Sequence, residues 1–256
     1  AFNSEMIFVA TDYSNVGITD GIRYMFDYAD KEGKPIVVNM SLGGQMGPHD
    51  GTSLSDQTFD DLTGEGKILI GSAGNDGNDN LHLNYDFGSD ETIYSFLTFP
   101  ENTEHPSAGS TFIDIWGEAG NDFTVAVNVY NVDANQYEDY TDYISTSTDG
   151  TYNFTLQDSD PLYSDEVIVS VSVEHSNPHN GKPHVYIWFD NTDQDESGDI
   201  FDYIMLEVNG TNTSFDAWTK GVFSDLGYLS PLINGNTNST ISENKNGNSI
   251  ITVGAY

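Results

Sequence analysis

The pattern of hydrophobic and polar positions divides the chain into two regions. Up to about residue 85, short apolar runs alternate with a helical pattern, in which apolar residues recur at i, i+3, i+4 and i+7. The clearest helical pattern covers residues 18–31, and its apolar positions are Ile22, Met25, Phe26 and Ala29. Such a stripe predicts a helix with one buried face. The sequence therefore predicts an α/β arrangement for this part.

From about residue 90 the pattern changes to strict alternation. The segments 123–130, 152–156, 166–173, 185–189 and 203–208 alternate, and turns rich in Asp, Asn, Ser and Gly separate them. Evenly spaced strands without helical pattern predict an antiparallel β-sandwich. We predict this sandwich at 92–218, as an insert into an incomplete α/β domain of 1–91 and 219–256. About 130 residues suffice for an independently folding unit.

Two apolar runs in the first region of the chain end in small residues. Ile36–Met40 leads into a first glycine segment, made of Ser41, Leu42, Gly43 and Gly44. Residues 67–71 lead into the small-residue run SAGNDG at 72–77. We call its first four residues, Ser72, Ala73, Gly74 and Asn75, the second glycine segment. The helical pattern between the runs is typical of a crossover between parallel strands. Ligands of open parallel sheets bind at the carboxyl ends of the strands, where both glycine segments fall.

The two glycine segments in this order, with SIITVGAY at residues 249–256, resemble the subtilisin-like serine proteases (subtilases). The resemblance covers about 1–85 and 225–256. The wording GPHDGTS and the long insert resemble a bacterial branch with an inserted jelly-roll module. The resemblance implies a partial subtilisin-like parallel sheet with flanking helices, interrupted by a jelly-roll-like antiparallel β-sandwich. It also implies that Ile250–Val253 lies beside residues 67–71 in that sheet.

The resemblance further implies a serine endopeptidase, and it assigns site residues. Asn75 would donate to the oxyanion of the tetrahedral intermediate. Ser41, Leu42, Gly43 and Gly44 would form the edge on which a substrate strand pairs, and Ser72, Ala73 and Gly74 would line a side-chain pocket. The alternative for Asn75 is a left-handed turn, and the alternative for the first glycine segment is a plain strand-to-loop exit.

The catalytic Asp, His and Ser of such a protease would lie outside this sequence, so the isolated chain is expected to be inactive. His49-Asp50-Gly51-Thr52 and Ser53 superficially resemble catalytic motifs, but they lie between the glycine segments. We expect Thr52 or Ser53 to cap a helix instead. A second function stays open, in which the chain is a non-catalytic pseudoprotease or binding module whose β insert binds protein or glycan.

The net charge of the chain limits the classes of partner that it can bind. Seven Lys and Arg against 41 Asp and Glu give a formal net charge of −34, which disfavours nucleic acid and anionic membranes. The longest apolar run falls far short of the ~20 residues of a membrane span, so no membrane insertion is expected. We expect a peptide or protein substrate and a bacterial protein that is secreted, periplasmic or on the cell surface. The sequence does not predict the oligomeric state or the cleavage specificity.

No cofactor is expected, and the sequence contains no cysteine. Residues 193–200 space oxygen ligands like the first half of an EF-hand loop. The twelfth position holds Ile204 instead of Glu. A solvated hairpin loop is therefore preferred there over a calcium site.

Overall fold

A computed structural model describes residues 4–98, 109–131, 134–157, 166–191, 202–225 and 232–254. These ranges contain two helices and fifteen strands, neither helix being long and apolar enough to cross a bilayer. In chain order the elements are α1 (Asn15–Glu32), β1 (Ile36–Met40), α2 (Leu54–Leu62), β2 (Lys67–Ser72), β3 (His82–Phe87), β4 (Glu91–Thr98), β5 (Gly109–Gly117), β6 (Phe123–Asn131), β7 (Gln136–Tyr140), β8 (Ile144–Ser145), β9 (Gly150–Gln157), β10 (Glu166–Glu174), β11 (His184–Asn191), β12 (Asp202–Gly210), β13 (Thr213–Thr219), β14 (Val222–Ser224) and β15 (Ile250–Val253).

The chain forms two compact units. The smaller unit comprises Ala1–Gly44, Pro48–Asn75 and Ile241–Tyr256, and the larger unit comprises Gln45–Gly47 and Asp76–Thr240. The smaller unit is thus built from both ends of the chain. The larger unit is almost continuous in sequence.

A three-stranded parallel sheet of order β1-β2-β15 organises the smaller unit. Val38 lies opposite Leu69, and Leu69 lies opposite Ile250. Both helices cover the same face, because α1 and α2 contribute buried side chains to one cluster with Val38 and Leu69. Ser14 caps the start of α1, and Gly33 ends it in the left-handed conformation.

The larger unit consists of two antiparallel sheets. Sheet I has the order β3-β13-β5-β11-β10-β9, and sheet II has the order β14-β4-β12-β6-β7 with β8 on β6. Alternate residues of both sheets meet in one core, among them Ile113 and Val169 of sheet I and Val127 and Leu206 of sheet II. Alternation along a strand sends every second side chain to this core.

The predicted fold class is wrong. Twelve of the fifteen strands in the described ranges belong to antiparallel sheets, so the chain is mostly β and not a subtilisin-like α/β fold. The helical pattern that suggested α/β ends with α2, and after β2 the described chain continues only as strands and connections. The parallel pairing of Ile250–Val253 with the second apolar run is present as predicted, but it involves one small sheet.

Candidate functional site

The two glycine segments leave the parallel sheet side by side. β1 and β2 are neighbours that run in the same direction, with Met40 opposite Gly71. Each glycine segment begins at or directly after the end of its strand, so both lie at the carboxyl edge of the sheet. The Ala73 N–H donates to the carbonyl of Val253 at 2.9 Å. This bond ties the second glycine segment to β15 as well.

A return of the chain near its end connects the two glycine segments. The Ser242 N–H donates to the Ala73 carbonyl at 2.9 Å, and the Glu243 N–H donates to the Gly44 carbonyl at 2.8 Å. A Cβ on Gly43 would lie 2.5 Å from the Ser242 Cβ, and a Cβ on Gly74 would lie 2.5 Å from the Ser242 Oγ. Only glycine allows this approach at both positions.

Asn75 lies at the open end of the second glycine segment. Its side chain is exposed and makes no hydrogen bond to any residue that the structure describes. Gly74, and not Asn75, has the positive φ of +101°. The alternative interpretation of Asn75 as the left-handed residue of a turn is therefore wrong. The amide is free to donate to a ligand.

The other predicted site residues differ in what surrounds them. Ser41 is exposed, and its Oγ accepts a hydrogen bond from the Asn39 side chain at 2.9 Å. Leu42 is half-buried and packs against the core of the smaller unit. Ser72 pairs with Val253 as the last residue of β2. The structure thus brings the backbones of both glycine segments together, while the Leu42 side chain belongs to the core.

Three buried charges in the smaller unit were not predicted from the sequence. Asp56 is 0% exposed, and Glu243 and Lys245 are each 3% exposed. The Lys245 side chain runs along Gly71, where a Cβ would overlap it, and its Nζ donates to the Glu243 carbonyl at 3.3 Å. The run SENKNG resembles a solvated loop, because charged and polar residues at neighbouring positions usually face water. Its one sequence signal is the facing glycine in β2.

The Glu243 carboxyl group is held by neutral donors on one side only. Its Oε2 accepts from the His49 N–H at 3.1 Å and from the Asn246 amide at 3.2 Å, while its Oε1 is buried without a partner among the described residues. Burial, and next the negative charge of Asp56, raise the pKa of Glu243 to about 8. Burial likewise lowers the pKa of Lys245.

The residues that superficially resemble catalytic motifs have structural contacts. Ser53 caps α2, as predicted, since its Oγ accepts from the Asp56 N–H at 3.1 Å. The Nδ1 of His49 lies 2.8 Å from the Ile241 carbonyl oxygen. The calcium candidate at 193–200 lies outside the described residues. Within the described ranges no group of three or more His, Cys, Asp or Glu is arranged to hold a metal ion.

No family model and no curated protein matches the sequence. One solved structure, that of the Clostridium perfringens CspB protease, is similar with a TM-score of 0.68 and 17% sequence identity. The similarity covers 95% of this chain and 47% of the protease chain, so this chain spans about half the length of that protein. At this identity the similarity shows the fold alone.

The assignment to the subtilisin-like family is wrong on these findings. The fold that the chain shares with the protease structure is mostly β, and the parallel sheet is its smallest sheet. The motifs that carried the resemblance are short segments, and they indicated the local strand pairing but not the architecture of the whole chain. What the comparison does support is a distant structural relation to a protease.

The first prediction concerns the close backbone approach. Gly74→Ala should lower the free energy of unfolding by about 1–3 kcal/mol, because an L residue is strained at this φ and its methyl group meets Ser242. Gly44→Ala is the matched control, since a Cβ there has no atom within 4 Å. Its stability should be unchanged or slightly higher. Urea unfolding measures both variants, and equal losses would contradict the packing described here.

The second prediction concerns the pH dependence of stability. The pKa of Glu243 is higher in the folded protein than in the unfolded chain, so between about pH 4.5 and 8 the folded state retains a proton that the unfolded state releases. Stability is therefore lost as the pH rises through this window. Glu243→Gln removes that loss.

Relative to wild type, the Gln variant should gain about 4 kcal/mol in unfolding free energy between pH 5 and pH 8.5, because each unit of pKa difference corresponds to about 1.4 kcal/mol. The control is Glu65→Gln, which removes one exposed carboxyl group and is measured in the same urea titrations. A difference for Glu243→Gln that stays constant over this range would show that the carboxyl group ionises normally.

Proposed function

We propose that this chain is part of a serine-type endopeptidase, in which it binds the substrate backbone and stabilises the oxyanion. The observation that carries the proposal is the pair of glycine segments at one sheet edge, with the free amide of Asn75 beside them. The fold similarity to a protease of about twice the length supports the same conclusion.

An extended peptide would bind along the first glycine segment. Among the described strands β1 is an edge strand of its sheet, and the first glycine segment continues from it. A peptide that adds to such an edge obtains affinity from main-chain hydrogen bonds and specificity from pockets for alternate side chains. The small residues Ser72, Ala73 and Gly74 would line the pocket for the side chain that precedes the scissile bond.

Asn75 would act on the reacting carbonyl group. When a serine Oγ attacks the carbonyl carbon, the π electrons move to the carbonyl oxygen, and a histidine takes the serine proton. The Asn75 amide would donate to this oxygen. Collapse of the intermediate expels the amine, which takes the proton from histidine, and water then hydrolyses the acyl-enzyme. The serine, the histidine and its aspartate would be supplied by parts of the protein outside this chain.

One face of the parallel sheet is exposed, and this exposure supports the presence of further protein elements against it. Val37, Ile68, Ile251 and Val253 point away from the two helices and are between 40% and 58% exposed. Parallel sheets in folded proteins are normally covered on both faces, and a row of exposed aliphatic side chains marks a contact surface. We infer that other elements of the same enzyme cover this face. Secretion or display on a bacterial surface stays a prediction.

A third prediction tests the role of Asn75 in a protein that combines this chain with the catalytic serine, histidine and aspartate. Asn75→Ala should lower kcat about 100- to 1000-fold, with little change in KM, because the lost hydrogen bond forms only in the transition state. Asn78→Ala, which changes an exposed asparagine three residues later, is the matched control. A change confined to KM would contradict the proposed role.

A fourth prediction concerns the 256-residue chain alone. It should not hydrolyse a fluorogenic peptide above the uncatalysed rate, because oxyanion stabilisation requires a nucleophile to act on. Turnover by the purified chain that disappears in Asn75→Ala would show that the chain contains its own nucleophile. The proposal that the triad lies elsewhere would then be incorrect.

A further inference from the structure

A second site lies on sheet II of the larger unit, independent of the proposed proteolytic function. A pocket of about 260 Å³ opens on the face of this sheet that points away from the core. We call it the tyrosine pocket, and it is lined by Tyr94, Ala126, Asn128, Tyr137, Tyr140, Thr141, Tyr143 and Glu207. Four of its eight lining residues are tyrosines, and one is a carboxylate.

The register of three strands forms the floor of the tyrosine pocket. Tyr94 on β4 lies opposite Glu207 on β12, and Glu207 lies opposite Ala126 on β6. Directly paired residues share a face of the sheet. Val125 and Val127, on either side of Ala126, point into the core, so Ala126 points outward. Its methyl group is much smaller than the neighbouring side chains and leaves a depression between them.

Tyrosines at intervals of three residues line the rest of the pocket. Tyr137 and Tyr140 lie on β7, and Tyr143 follows three residues after β7. Tyr140 and Tyr143 are largely exposed and Tyr137 is half-buried, so part of each ring is accessible to a ligand. Burial raises the pKa of Tyr137 to about 12, and a hydrogen bond to Glu207 raises the pKa of Tyr143. The Tyr137 and Tyr143 phenols are therefore neutral at physiological pH, and tyrosine ring faces carry partial negative charge.

Glu207 places a nearly buried negative charge at the floor. It is 5% exposed, and its carboxylate accepts hydrogen bonds from the Tyr143 hydroxyl and, at 3.3 Å, from the Asn128 amide. Both donors are neutral, and no basic side chain lines the pocket among the residues that the structure describes. A buried carboxylate is costly unless a cation pairs with it. Each of its oxygens can accept a further hydrogen bond.

We propose that the tyrosine pocket binds an alkylammonium group, in which the ammonium pairs with Glu207 and the alkyl chain contacts the tyrosine rings. A cation over tyrosine faces gains cation–π attraction in addition to the ion pair. The volume is slightly below the roughly 300–1,000 Å³ of pockets for drug-sized ligands, which suits a lysine side chain or a small free amine. The net charge of −34 attracts cations to the whole protein.

Two other ligand classes fit the pocket less well. A calcium ion requires six to eight oxygen ligands, whereas this pocket offers one carboxylate among aromatic rings. A sugar stacks on aromatic side chains, but it is neutral and would leave the Glu207 charge uncompensated. Both remain distinguishable by experiment.

A fifth prediction tests the ligand with the complete 256-residue chain at about 0.15 M salt, which screens long-range attraction. Isothermal titration calorimetry would compare N-acetyl-lysine methylamide, its neutral isostere N-acetyl-norleucine methylamide, butylammonium and glucose. The lysine derivative should bind at least about tenfold more tightly than the norleucine derivative, because only the ammonium pairs with Glu207. Binding of butylammonium alone supports the proposal and identifies a free amine as the source.

Variants distinguish binding in the tyrosine pocket from attraction of the cation to the overall negative charge of the protein. Glu207→Gln should weaken binding of the lysine derivative about tenfold, whereas Asp142→Asn, which removes an equal charge from an exposed residue just outside the lining, should change it less than about twofold. Ala126→Val narrows the floor without changing charge, and it should also weaken binding. Thermal unfolding verifies that each variant is folded, and Ala126→Val serves if Glu207→Gln is not.

Four results would overturn the proposal. The first is equal affinity for the lysine and norleucine derivatives. The second is equal weakening by Glu207→Gln and Asp142→Asn, which would show that the whole field attracts the cation. The third is binding of glucose in preference to every amine, which would make the pocket a sugar site. Absence of binding by both amines at millimolar concentration would equally contradict it.

Discussion

Two backbone hydrogen bonds, from Ser242 to Ala73 and from Glu243 to Gly44, hold the two glycine segments in the positions that the proposed substrate site requires. They form only because Gly43 and Gly74 have no side chain where the Ser242 side chain lies. Each bond alone is worth about 1 kcal/mol. Their importance is geometric, since they fix two loops from different strands against one segment and leave Asn75 exposed.

The buried ionisable side chains beside these loops do not make the smaller unit especially stable. Burying Asp56, Glu243 and Lys245 together costs desolvation energy, and this cost raises the pKa of Glu243 and lowers the pKa of Lys245. The smaller unit has only seven residues in its main buried cluster, against 25 in the cluster of the larger unit, counted over the described ranges. Stability is therefore concentrated in the larger unit.

Local features followed from the sequence more reliably than the architecture. The stripe of Ile22, Phe26 and Ala29 predicted the buried face of α1, and the helix cap at Ser53 was also predicted correctly. The fold class was wrong because the α/β pattern of the first 85 residues was taken as the main architecture, whereas most strands of the described chain belong to the antiparallel sheets. The buried state of Lys245 could not be predicted, since it depends on a contact with Gly71 across more than 170 residues of sequence. The tyrosine pocket was missed, although tyrosines at 137, 140 and 143 break the period of two and could have indicated it.

The pairing of the first and last segments of the larger unit influences the order in which the two units fold. Ala73 and Ser242 are about 170 residues apart, and closing so long a loop costs chain entropy. Within the larger unit, however, His82 and Asn236 exchange backbone hydrogen bonds, which shortens the effective loop to about 15 residues and reduces the cost by about 2 kcal/mol. β15 is synthesised after all strands of the larger unit, and it therefore joins its sheet most readily once the β sheets have formed. Until that moment the nascent chain exposes one edge of β2, and premature pairing of that edge with another molecule is the error that biosynthesis has to avoid.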